Sequence, residues 1–66
     1  MRLNVREVRI AMLDQRLTNA SLARIVKVHP ATIAKWLNNP SLPQLEDITK
    51  LAQALSINEN IIIDYE

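Results

Sequence analysis

The stretch Thr18-Asn19-Ala20-Ser21-Leu22-Ala23-Arg24-Ile25-Val26-Lys27-Val28-His29-Pro30-Ala31-Thr32-Ile33-Ala34-Lys35-Trp36-Leu37-Asn38 decides the fold. It carries two helix signals a few residues apart. Thr18 is a good N-cap, because its hydroxyl can accept from a backbone amide that the first helical turn leaves unpaired. A helix over about 19–27 follows, with Leu22, Ala23, Ile25 and Val26 mostly inward. Pro30 fits the first position of a second helix, where its missing N–H costs nothing. That helix runs over about 30–38. Ile33, Trp36 and Leu37 share one of its faces at helical spacing. The outward face is a mixed set: His29, Pro30, Ala31, Ala34, Lys35. Two short helices joined through Val28-His29 make a helix-turn-helix layout.

Working outward, Asn4 and Glu7 have the spacing of a capping box, and a helix over about 5–16 follows. On the other side, Asn38-Asn39-Pro40-Ser41-Leu42-Pro43 is a turn-rich loop in which the prolines forbid helix. A helix over about 44–55 has the stripe Leu45, Ile48, Leu51, Ala52, Leu55. Glu46 and Asp47 fall in its first turn, where carboxylates compensate the helix dipole. Asn58 can cap a last short helix over about 58–63. Ile61-Ile62-Ile63 is also a β-branched run that can pair as a strand. Five short helices with short connections predict an all-α fold in one domain, residues 1–66.

Composition bounds the function. A chain of 66 residues buries a modest core and has a narrow stability margin. It has no cysteine, hence neither disulfides nor a thiolate metal site. Phe is absent, so the core must be aliphatic. No apolar run has the length of a signal peptide or a membrane span, which predicts a cytoplasmic protein. Net charge is only +1, but it is unevenly spread. Residues 1–45 carry seven basic and two acidic side chains, net +5; residues 46–66 carry one and five, net −4. The first two-thirds is therefore suited to a polyanion. No nucleophile–base–acid set is present, and a chain without glycine has no phosphate-cradling glycine loop. The sequence predicts no enzyme, no cofactor and no metal. His29 stands alone and reads as a turn residue at the start of the third helix. Trp36 reads as core, one turn from Ile33.

At these positions the chain resembles the Cro/lambda-repressor-type (XRE-like) helix-turn-helix family. The likeness spans about Val8 to Ile63. It rests on Leu17-Thr18, Leu22-Ala23, Val28, Thr32-Ile33, Pro43 with Leu45, Leu51-Ala52, Ala54-Leu55 and Ile57. The resemblance implies a five-helix, lambda-repressor-like domain whose third helix enters the major groove of double-stranded DNA. It assigns His29, Pro30, Ala31, Ala34, Lys35 and Asn38 to the groove-facing positions. Thr18 and Asn19 match phosphate-clamping positions at the start of helix two, and Thr32, Asn39 and Ser41 are further phosphate candidates. The family often dimerises through its last helix, which makes Ile61, Ile62, Ile63 and Tyr65 the candidate homodimer seam; simple closure of the core is the alternative. The function implied is a sequence-specific transcriptional regulator, a repressor of phage, mobile-element or chromosomal origin. The rival is a protein-interaction module on the same fold, antitoxin-like or anti-repressor-like, favoured by the low net charge and by Pro30, Ala31 and Ala34.

Three departures from the family pattern carry expectations. Pro30 and Ala31 stand where many members have a polar base-reading residue, so direct readout should be sparse and lean on Lys35, methyl contacts and DNA shape. Met12 and Leu37 stand where some members bury an Arg–Glu pair, and should pack together as hydrocarbon. Arg16, Lys27, Asn39 and Ser56 stand where the family often has glycine after a helix. Left-handed backbone is expected at Asn39 and Lys27, with different turns at the other two.

Overall fold

Each helix starts at a side chain able to take an orphaned amide. The structure is a computed structural model and describes residues 1–65. Asn4 caps α1 (Val5–Asp14) by accepting from the Glu7 amide at 3.3 Å. Thr18 caps α2 (Asn19–Val26) through the Ser21 amide at 3.1 Å. His29 precedes α3 (Pro30–Asn38), with Pro30 at its first position. Gln44 precedes α4 (Leu45–Leu55), its own amide donating to the Asp47 carboxylate at 3.0 Å. Asn58 caps α5 (Glu59–Ile62) through the Asn60 amide at 2.9 Å. These are substitutes for the amide partners that a first turn lacks.

The ends follow a rule of their own. Arg16, Lys27 and Ser56 are left-handed, with φ of 56°, 67° and 56°. At each, the next residue donates its amide back five positions: Leu17 to Met12 at 2.8 Å, Val28 to Ala23 at 2.9 Å, Ile57 to Ala52 at 3.0 Å. This is the Schellman closure, which needs a left-handed residue and gains an apolar contact from the one after it. Leu17, Val28 and Ile57 are that contact, each half-buried against the core. The left-handed Lys27 agrees with expectation, whereas Arg16 and Ser56 were expected to close by other turns. Asn39 corrects the expectation in the other direction: its φ is −133°. The following residue is Pro40, which has no amide to send back and pushes its predecessor toward extended backbone.

The helices enclose one aliphatic core. Val8, Leu22, Ile33, Ile48, Leu51, Leu55 and Ile62 are its most buried members. Met12 and Leu37 lie in the same cluster, and Trp36 joins them. No described polar or charged residue is buried. Two apolar residues expected inside are outside. Ile25 is 51% exposed, because at about 100° per residue it falls off the stripe of Leu22, Ala23 and Val26. Leu45 is 49% exposed, since helical side chains lean toward the N-terminus and this one, at the first position, overhangs the core.

The C-terminal segment is both things that its sequence allowed. α5 stops at Ile62, and β2 (Ile63–Asp64) pairs antiparallel with β1 (Arg2–Leu3), Leu3 opposite Ile63 and Arg2 opposite Asp64. Leu3 is buried, as are Ile62 and Ile63, so these two isoleucines serve the chain's own core rather than an outer seam. Ile61 and Tyr65 remain exposed.

Candidate nucleic-acid interface

α3 is two-faced because its apolar residues recur at helical spacing. Ile33, Trp36 and Leu37 are buried, which fixes the opposite side outward. There the structure brings together five of the six groove-facing candidates as exposed residues: His29, Pro30, Ala31, Lys35 and Asn38. Ala34 is half-buried at the edge of this face, as is Thr32. Ala31, Lys35 and Asn38 follow the i, i+4, i+7 progression and form one row along the helix. The row offers one cation, one amide and methyl groups.

The start of α3 is electrically closed. Pro30 has no amide, the Ala31 amide donates to His29 Nδ1 at 3.0 Å, and the Thr32 amide donates to the His29 carbonyl at 2.8 Å. Because Nδ1 accepts, the neutral ring carries its proton on Nε2, which leaves that nitrogen as an outward donor. His29 is thus a cap first, and its far edge is the part available to a partner. Replacing it by alanine should destabilise the fold by about 1 kcal/mol, while asparagine, itself a good cap, should lose little. Thermal melts of the two variants check this.

The start of α2 is different. Its cap takes the Ser21 amide, and the amides of Asn19 and Ala20 lie in the first turn, where the helix supplies no acceptor. Thr18 and Asn19 are both exposed. Ser21 was not among the sequence-derived candidates; its hydroxyl lies 3.0 Å from that of Thr18, so one hydroxyl proton is shared between them. The signal for it is the Thr-x-x-Ser spacing, a capping-box position filled by a short side chain. After α3, Asn39 and Ser41 are exposed on the loop. Arg16, Arg24, Lys27 and Lys35 add exposed cations on or beside α2 and α3.

A helix-turn-helix family model matches residues 5–62, most of the chain and all five helices. The chain belongs to the Cro/repressor-type (XRE-like) helix-turn-helix family. Its fold is the all-α, lambda-repressor-like one, with the helix-turn-helix formed by α2 and α3, and its class is that of DNA-binding regulators. The search of curated proteins found no match, and neither did the search of solved structures. Among the described residues, no helix is long and apolar enough to cross a membrane, and no group of three or more His, Cys, Asp or Glu is placed to hold a metal ion.

Proposed function

We propose that this helix-turn-helix protein is a sequence-specific, double-stranded-DNA-binding transcriptional regulator. It acts as a repressor by occluding a promoter. The observation that carries this reading is the exposed row of α3, held outward by Ile33, Trp36 and Leu37 in a chain of a DNA-binding family. Lys35 reaches guanine or phosphate, Ala31 and Ala34 meet thymine methyls, and Asn38 and His29 Nε2 add polar contacts. Pro30 contributes shape only. Thr18, Asn19 and the free first-turn amides of α2 take phosphate, with Thr32, Asn39 and Ser41 as further contacts.

The protein binds as a homodimer on an inverted repeat, which places two third helices about one DNA turn apart. Its seam uses Ile61 and Tyr65, the two exposed members of the C-terminal apolar set. Selection of bound duplexes from a random pool at moderate salt tests this reading. An enriched inverted repeat supports it. No enrichment favours the second reading, a protein-interaction module, for which the methyl-rich face of Pro30, Ala31 and Ala34 is the supporting observation.

On the selected duplex, Lys35→Ala should weaken binding by about 1–3 kcal/mol if Lys35 reads guanine, with relaxed specificity at one base pair. A phosphate role would instead lower the salt slope by about one per protomer, evenly across sequences. Equal affinity and selectivity of the variant and the parent would remove Lys35 from the interface.

A further inference from the structure

The loop between α3 and α4 has few backbone amides with which to hold its shape, although Pro43 is buried. Of its residues 39–44, Pro40 and Pro43 have no amide. The Asn39 amide closes α3 on the Lys35 carbonyl at 2.8 Å, the Gln44 amide is used at the start of α4, and Leu42 donates to the Asn39 carbonyl at 3.0 Å. The Pro40 carbonyl takes its donor from the far end of the chain: the Leu3 amide, at 2.8 Å. That amide is itself fixed. The Leu3 side chain is only 2% exposed, the next amide, Asn4, donates to the Ile62 carbonyl at 2.7 Å, and Leu3 pairs with Ile63. Arg2 Nε lies 3.3 Å from the Asp64 carboxylate across the same ribbon. This exposed pair adds little energy, so the hydrogen-bonded backbone and the buried Leu3 do the holding.

We infer that the ribbon of the two chain ends is a positioning device for the loop that follows α3, with the Leu3 amide as its clamp on Pro40. Pro40 separates Asn39 from Ser41, so the clamp sets where both project relative to α3. Leu3 is accordingly a positioning residue that never touches the ligand. The part concerning phosphate rests on the functional reading above, in which Asn39 and Ser41 meet the DNA backbone. Residues 2–3 are thereby a structural member of the proposed binding face.

The 66-residue chain made by chemical synthesis, with the Arg2–Leu3 amide replaced by an ester, loses this donor and keeps the Leu3 side chain; the Arg2 carbonyl only becomes a weaker acceptor, as does the ester carbonyl of the control. The control carries an ester at Ser56, whose amide donates to the Gln53 carbonyl at 3.1 Å at the end of α4, away from the loop. Hydrogen exchange at the Leu42 amide should be roughly fivefold faster in the Leu3 ester than in the control, the effect of one net hydrogen bond on local opening. The salt slope of duplex binding should fall by about 0.9 for each phosphate that the displaced loop no longer neutralises. A merely less stable protein would bind less without changing that slope. Equal Leu42 exchange in the two esters overturns the clamp. Faster exchange with an unchanged slope overturns its bearing on phosphate. A parent that binds no duplex overturns the functional reading and the phosphate part with it, while the exchange comparison still decides for or against the clamp.

Discussion

Replacing Arg16, Lys27 and Ser56 together by glycine should stabilise the protein by about 1.5–3 kcal/mol. All three have positive φ, where a Cβ crowds the neighbouring carbonyl at a cost of roughly 1–2 kcal/mol per residue. Glycine removes that cost but loses more entropy on folding, which returns about 0.4–1 kcal/mol per site. The net gain is then about 0.5–1 kcal/mol at each position. The sites lie at the ends of α1, α2 and α4, close through separate backbone hydrogen bonds, and should therefore add. In a domain of this size the sum corresponds to a rise in melting temperature of roughly 6–24 °C. Asn39→Gly is the internal control. Asn39 is extended, so glycine relieves nothing there and should cost a few tenths of a kcal/mol in chain entropy. A melt in which the triple variant gains nothing, or in which Asn39→Gly gains as much per site, would refute the strain at the three helix ends.

The same four positions show what the sequence could and could not reveal. Absence of glycine suggested that left-handed closure would be avoided, or confined to the most tolerant residues, Asn39 above all. The deciding feature was the residue that follows. Leu17, Val28 and Ile57 each have an amide to send back and an apolar side chain to bury, whereas Pro40 has neither the amide nor the freedom. That rule is local and could have been applied to the sequence. The helix starts were legible for the same reason, since Asn4, Thr18, Pro30 and Asn58 act within three residues of themselves. The terminal ribbon was not legible: two-residue strands have no alternation to detect, and their partners lie at opposite ends of the chain. Ile25 and Leu45 misled because periodicity reports direction and not where the core ends. For the interface, the exposed row of α3 followed from the spacing of Ile33, Trp36 and Leu37. The cap formed by His29 Nδ1 did not, because histidine is an uncommon N-cap and only the geometry shows which ring nitrogen is engaged.

Truncating Ile33 to alanine should be the most damaging change to the candidate interface, although Ile33 faces away from it. Its side chain is 1% exposed and is one of three that fasten α3 to the core. Removing most of a buried isoleucine leaves a cavity and costs about 2–5 kcal/mol. A chain of 66 residues has a total stability of roughly 3–10 kcal/mol, so the loss approaches the whole margin. By contrast, Lys35→Ala on the opposite face should change stability by no more than about 0.5 kcal/mol. The single tryptophan makes the test direct: Trp36 is 7% exposed when folded, and its emission should shift to the red as urea admits water. Ile33→Ala should lower the urea midpoint sharply at an unchanged slope, or leave no cooperative transition. A change in midpoint no larger than that of Lys35→Ala would mean that α3 does not depend on this anchor. Duplex DNA gives the complementary reading. A ligand that binds only the folded state raises its population by mass action, so excess DNA should restore part of the Ile33→Ala binding. On the proposed reading, Lys35→Ala should stay weakened at any folded fraction, because it would lack the side chain that meets DNA and not the fold. On that reading one helix separates the two contributions: its inner row would set how much folded protein exists, and its outer row how tightly that protein holds DNA.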